Sequence, residues 1–208
     1  MKIFGSPTST CTRKVMLTLN EKGIPFSMEV INIAKSEQKQ PSHLRRQPFG
    51  VVPVLQDDDF EMYESHAIMH YIDKKIIENA LAPLDPKALG RMEQWISVAQ
   101  SYFTHPAVVL VKELYFGPMQ GKVVDQQAVS DAKDKVAHAL DVMEKNLSVH
   151  PYMVANDFTL ADVTWMPYIE YLFPASMGQL VTERPTVNAW WEKVRNRPAW
   201  QKVLTWKQ

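Results

Sequence analysis

The chain is poor in cysteine and glycine and carries no excess charge of either sign: its 208 residues hold one cysteine, seven glycines, and 23 Lys plus Arg against 23 Asp plus Glu. A net charge of zero leaves no global field to hold a polyanion, so nucleic acid and anionic membrane surfaces are not expected partners. The balance is also local, with ten basic and nine acidic groups over residues 1–76 and thirteen and fourteen over residues 77–208. A single cysteine cannot form an internal disulfide, and the opening Met1-Lys-Ile-Phe-Gly5 turns polar too early for a secretory signal core. A cytoplasmic location is therefore expected. No apolar run approaches the roughly 18 to 20 residues of a membrane span; even Ala107 to Val111 stops at Lys112 and Glu113.

Nucleotide and hydrolase signatures are missing as well. Gly117-Pro-Met-Gln-Gly121-Lys122 has one residue too few between its glycines for a phosphate loop and lacks the following Ser or Thr, so it reads as a loop. There is no Gly-x-Gly-x-x-Gly and no Gly-x-Ser-x-Gly. His66 and His70 stand four apart, a spacing that could share a metal on one helix face. No third ligand lies at a telling spacing, so no metal is expected and the pair reads as solvent-facing or partly packed.

Two hydrophobic periods organise what is present. Lys2 to Gly5 reads as a strand, and a helical pattern runs from about Thr10 to a stop at Gly23. Phe26, Met28 and Val30 alternate with polar residues, and Pro41 and Pro48 confine any helix between them to one or two turns. Val52 to Leu55 and Phe60 to Tyr63 flank a polar turn at Asp57-Asp-Asp59, and Ser65 is placed to cap a helix carrying Ala67, Ile68, Tyr71 and Ile72. The order βαβαββα predicts a small mixed sheet covered by helices.

Beyond residue 85 only the helical period remains. Asp85-Pro86 opens a helix whose apolar face is Leu89, Met92, Trp95, Ile96, Ala99 and Phe103; a second carries Ala128, Ala132, Val136, Leu140 and Leu147. Thr159 and Asp162 form a capping-box variant opening a third, and Arg184-Pro185 precedes a fourth, with Trp190, Trp191 and Val194, that Pro198 ends. The division expected is an α/β domain over 1–76, a linker over 77–85 and an all-helical domain over 86–208.

The turn Ser6-Pro-Thr-Ser-Thr-Cys-Thr-Arg13 sets hydroxyls and a thiol at a helix N-terminus, where unpaired N–H groups and the dipole favour an anion. From these residues alone, Ser9 reads equally as a helix cap and Cys11 as a small buried hydrophobe.

This turn, together with Gln47-Pro-Phe-Gly-Val-Val-Pro-Val-Leu55, Tyr63-Glu-Ser-His-Ala-Ile68, Phe158-Thr-Leu-Ala-Asp162 and Arg184-Pro-Thr-Val-Asn-Ala-Trp-Trp191, resembles the glutathione transferases, most closely the plant-type phi class. The resemblance spans nearly the whole chain and implies a thioredoxin-like N-terminal domain, an all-helical C-terminal domain and a homodimer. It implies that Ser9 hydrogen-bonds the glutathione sulfur, that Pro53 is cis so that Val52 pairs with the cysteinyl backbone, and that Glu64 and Ser65 receive the γ-glutamyl end. Gln38 and Lys39 fall where the family meets the glycyl carboxylate. Val51 stands where relatives carry Lys or Gln, which implies one contact fewer. Thr10, Ile33, Thr104 and Val108 fall at the hydrophobic-substrate positions, where the two domains of the family face each other.

The implied reaction joins the glutathione thiolate to hydrophobic electrophiles in detoxification, with peroxidase activity as a further expectation. Glutathione is a co-substrate and no cofactor is expected. Two alternatives stand beside it: a thiol oxidoreductase in which Cys11 forms a mixed disulfide with glutathione, and a non-catalytic binder of hydrophobic ligands.

Overall fold

A computed structural model describes residues 1–206 as two compact units, Met1–Leu81 together with the segment from Arg197, and Ala82–Asn196. The first unit is built on four strands, β1 (Lys2–Gly5), β2 (Ser27–Val30), β3 (Val54–Asp57) and β4 (Phe60–Tyr63), in the order β2-β1-β3-β4. β1 runs parallel to β2 and antiparallel to β3, and β3 and β4 form the hairpin. Between them come α1 (Thr10–Glu21) and the single turn α2 (Pro41–Leu44), and α3 (Ser65–Lys75) follows β4.

Side chains alternate across the sheet. Phe4 and Val54 cluster with Ile31 and Val52 on one face, and Ile3 and Leu55, both almost fully buried, point to the other. Gly5 shows why that second face can carry α1: a Cβ there would lie 2.7 Å from Thr12 Cγ2, so only glycine lets the helix come this close. α1 packs against α3, and Lys22 at its end forms a buried ion pair with Asp73 of α3 at 2.9 Å.

Two expectations are corrected here. Pro198 ends one helix but opens another, α11 (Pro198–Leu204), because a proline at the first helical position loses no needed N–H. And α11 belongs with the first unit rather than with a helical domain running to residue 208. It packs on α1, Asn20 Nδ2 donates to the Ala199 carbonyl at 3.4 Å, and Arg197 grips Glu21 through two bonds of 2.7 and 2.8 Å.

The second unit starts with α4 (Pro86–Val98), capped by Asp85. The helical path continues past Ala99 and Phe103 of the expected apolar face, through a π-helical stretch Ala99–Thr104, α5 (His105–Val111), a second π stretch Lys112–Phe116 and α6 (Gly117–Met119). Each π stretch lies just before a proline, Pro106 and Pro118. A proline lacks the N–H of the i→i−4 ladder and its ring collides with the preceding turn; the widened turn absorbs both. Residues 117–119, read as loop from the sequence, thus form the last helical turn.

α7 (Gln126–Leu147) packs along α5, and α8 (Leu160–Leu172) is buried on nearly every side, as an all-round apolar helix must be. Trp165 of α8 stacks on Phe103 with ring centres 4.4 Å apart. The expected capping box at Thr159 and Asp162 is present. After α9 (Gln179–Thr182), α10 (Pro185–Arg195) buries Trp190 and Trp191. Among the described residues no helix is long and apolar enough to cross a membrane.

Candidate functional site

Strand direction gathers the sequence-nominated residues of the first unit at one end of the sheet. β1 and β2 are parallel, so the Ser6–Ser9 turn and Ile31–Ile33 leave from the same end; the antiparallel β3 enters there, at Val52 and Pro53, and β4 leaves there, at Tyr63 and Glu64. The registers Phe4↔Val54 and Val54↔Tyr63 bring the three segments side by side.

Ser9 is the N-cap of α1. Its Oγ accepts the Thr12 N–H at 3.3 Å, and its own N–H donates to the Ser6 carbonyl at 3.0 Å. The turn is pinned by Arg13 Nε, which donates to the Pro7 carbonyl at 2.8 Å, and by a Ser6–Thr8 hydroxyl pair at 3.0 Å. The Ser9 hydroxyl still carries one hydrogen that this bond does not use, so it can also donate. Thr10 and Cys11 are the first two residues of α1, both partly exposed.

The Val52–Pro53 peptide is cis. Val52 and Pro53 are buried, whereas Val51 is exposed and its carbonyl lies 2.7 Å from His43 Nε2. Since a carbonyl only accepts, that nitrogen carries the proton. Lys39 reaches across Gly50 to donate to the Phe49 carbonyl at 3.0 Å, and the neighbouring Gln38 has a buried Oε1 with no partner among the described residues. Gly50 adopts φ +62°, and a Cβ on it would meet Lys39 Cδ at 2.7 Å, so this glycine fixes where the lysine lies.

Glu64, not Ser65, occupies the cap position of α3, a correction to the expected helix start. Glu64 has φ +74°, costly for a residue with a Cβ, and Ser65 is the first helical residue. No side chain caps this helix, so its first N–H groups point out of the turn beside Glu64. Ile33 is 39% exposed on a short 3₁₀ turn. Thr104 and Val108 belong to the second unit, on the first π stretch and on α5; Val108 is exposed, while the Thr104 hydroxyl is buried without a partner among the described residues.

Two groups at this end escaped the sequence reading in their roles. Lys14 is only 1% exposed, and its Nζ lies 3.5 Å from His66 Nε2. Burial holds the Lys14 ammonium below the usual lysine range, while Cys11 and Glu64 pull it back upward. Burial, then the charge on Lys14 and then His70, brings His66 down to about 3. His66 is therefore a neutral acceptor. The signal in the sequence was the position of Lys14 between Thr12 and the apolar run Val15 to Leu17, on a helix packed by neighbours on more than one side. Among the described residues no three His, Cys, Asp or Glu side chains form a metal-holding group.

Residues 8–75 match the family described as glutathione S-transferase, N-terminal domain, and residues 103–198 match glutathione S-transferase, C-terminal domain. The chain is 37% identical over 207 residues to glutathione S-transferase F12 of Arabidopsis thaliana, covering 98% of this chain and 97% of that one. In structure it resembles glutathione transferase F2 of Populus trichocarpa, with a TM-score of 0.93 and 32% identity over 98% of this chain and 96% of the other. It also resembles glutathione S-transferase I from maize in complex with an atrazine glutathione conjugate, with a TM-score of 0.89 and 30% identity over 98% and 95% of the two chains. With both domains matched, relatives similar along their full length and the same fold throughout, this chain belongs to the glutathione S-transferase family, with its likeness in the plant phi class.

Proposed function

We propose that this protein transfers glutathione to hydrophobic electrophiles through a thiolate held at the start of α1, with Ser9 as the residue that stabilises it. The observation that carries this reading is the Ser9 hydroxyl, fixed at the helix start with its oxygen taken by Thr12 N–H and its hydrogen left to donate. A free thiol has a pKa of about 8.5, so only a few per cent is ionised at pH 7. Lowering it by about two units requires roughly 2.7 kcal/mol. A hydrogen bond to the anion contributes about 1.5 to 3 kcal/mol and the helix N-terminus about 0.3 to 1 more, which is sufficient. Ser9 keeps its own proton throughout, so no histidine base is required.

The rest of the site divides glutathione by its charges. Val52 offers main-chain hydrogen bonds to the cysteinyl part. The open start of α3 at Ser65 suits the γ-glutamyl carboxylate and Glu64 its ammonium, while Lys39, aided by Gln38, suits the glycyl carboxylate. Thr10 and Ile33 of the first unit and, taken separately, Thr104 and Val108 of the second are proposed for the second substrate; two are apolar and none is charged, which favours an aryl halide or isothiocyanate over a charged metabolite. The maize relative is bound to an atrazine glutathione conjugate, a product of this type.

A cytoplasmic homodimer is part of the same proposal. Phe49, Val51 and Tyr63 are exposed within one stretch of the first unit, the rings of Phe49 and Tyr63 edge to face, and such an apolar patch supports a protein contact. The test is turnover on a panel of electrophiles by wild type and Cys11→Ala. Conjugation retained by Cys11→Ala is expected; no conjugation of any electrophile, with glutathione bound, would reject the transferase.

A further inference from the structure

The contact between Lys14 and His66 locates a buried amine that the serine mechanism does not use. His66 is the second residue of α3 and Lys14 lies on the second turn of α1, so the Lys14 Nζ, 3.5 Å from His66 Nε2, sits where the starts of both helices approach. Helical side chains lean toward the N-terminus, which carries Lys14 Nζ back toward the turn holding Ser9. Cys11 lies one turn earlier on the same face. An ammonium only donates, so His66 must be neutral to accept from it, and that neutrality keeps a second positive charge out of the cluster.

We propose that Lys14 is a buried cation beneath the adjoining starts of α1 and α3, and that its charge helps to hold the thiolate of glutathione at Ser9. The inference rests on the transferase reading above. The groups near Lys14 include Cys11 on its own helix and Glu64 and His66 at the start of α3, and His70 in turn acts on His66. Of these, Glu64 is expected to be engaged by the glutathione ammonium, which leaves the thiolate as an unmatched negative charge near Lys14. Buried charges are screened far less by salt than surface ones. With an effective dielectric of about 20, a unit charge within about 10 Å shifts a titrating group by roughly one pKa unit, a tenfold change in the thiolate fraction below its pKa.

The experiment compares wild type, Lys14→Met, which keeps length without charge, and Lys14→Arg, which keeps charge. The ultraviolet absorbance of the thiolate of bound glutathione is titrated against pH, and binding of S-methylglutathione, which has no thiol to ionise, is measured in parallel. Expected is a rise of about one unit in the bound-thiol pKa for Lys14→Met, recovery in Lys14→Arg, and S-methylglutathione affinity within about threefold of wild type. An unchanged thiol pKa in Lys14→Met, or a collapse of S-methylglutathione binding with the thiol pKa kept, overturns the proposal.

A second readout needs no glutathione, so a failure of the transferase reading can be told apart. Cys11 is the chain's one cysteine, and the ratio of its alkylation rates with anionic iodoacetate and neutral iodoacetamide reports the local potential independently of how much thiolate is present. That ratio should fall at least about threefold in Lys14→Met. An unchanged ratio would show that Lys14 exerts no field there. Should Lys14→Met not fold, Lys14→Gln serves instead: it removes the charge and keeps a polar end, the same rise in the bound-thiol pKa is expected, and an unchanged value would overturn the proposal.

Discussion

Replacing Asp162 with alanine should destabilise the second unit by about 3 to 5 kcal/mol. Asp162 is fully buried and accepts from four donors: Thr159 N–H at 2.9 Å, Thr159 Oγ1 at 3.2 Å, Met153 N–H at 3.1 Å and Trp190 Nε1 at 2.8 Å. It thereby ties the start of α8 to the preceding loop and to α10. Each buried donor left unpaired costs about 1 to 3 kcal/mol. The three N–H groups alone therefore bring a loss of about 3 to 9 kcal/mol, and relief of the burial that pushes the Asp162 carboxyl upward offsets part of it, which leaves about 3 to 5. Against a typical total of 5 to 15 kcal/mol this is a large fraction. Urea unfolding followed by tryptophan fluorescence is a direct assay, since the Trp190 indole is itself one of the donors. A lower midpoint with an unchanged slope is expected, and Asp162→Asn, which keeps one acceptor oxygen, should lose less. A loss below about 1 kcal/mol for Asp162→Ala would refute the assignment of this carboxylate as the hub of the unit.

Gly50→Ala should cost about 1 to 2 kcal/mol for its positive φ and, by displacing Lys39, weaken glutathione binding roughly fivefold with kcat kept; calorimetry and steady-state kinetics check both parts. Lys22→Met leaves Asp73 as a buried carboxylate still bonded to Leu81 N–H, and thermal or urea unfolding should show a loss of about 3 to 5 kcal/mol. His66 has its folded pKa depressed from 6.5 to about 3, so below 6.5 the unfolded chain binds the extra proton and stability falls as pH drops toward 3, with no contribution above 6.5. Urea midpoints across that window should fall less steeply in His66→Gln than in wild type.

The order of strands and helices in the first unit was legible because each element there carries its period within a few residues and is punctuated by Gly23, Pro41 or the Asp57 to Asp59 turn. The capping box was legible for the same reason: its residues are three apart. What escaped depends on contacts across the chain. The burial of Lys14 depends on the packing of α3 against α1, and the partner of α11 is α1, nearly 180 residues earlier. The passage of a helix through Pro106 and Pro118 requires π turns, which leave no periodic mark. At the site, Ser9, Pro53 and Glu64 were nominated through the family likeness rather than from local pattern. That Glu64 rather than Ser65 takes the cap position turned on one positive φ that a glutamate does not announce.

In the proposed mechanism the Ser9 hydroxyl stabilises the glutathione thiolate, and the direct measurement is the pKa of the thiol of bound glutathione in wild type and Ser9→Ala. Loss of a charged hydrogen bond of about 1.5 to 3 kcal/mol predicts a rise of roughly one to two units, with S-methylglutathione still bound. The same thiol pKa in both proteins would contradict it.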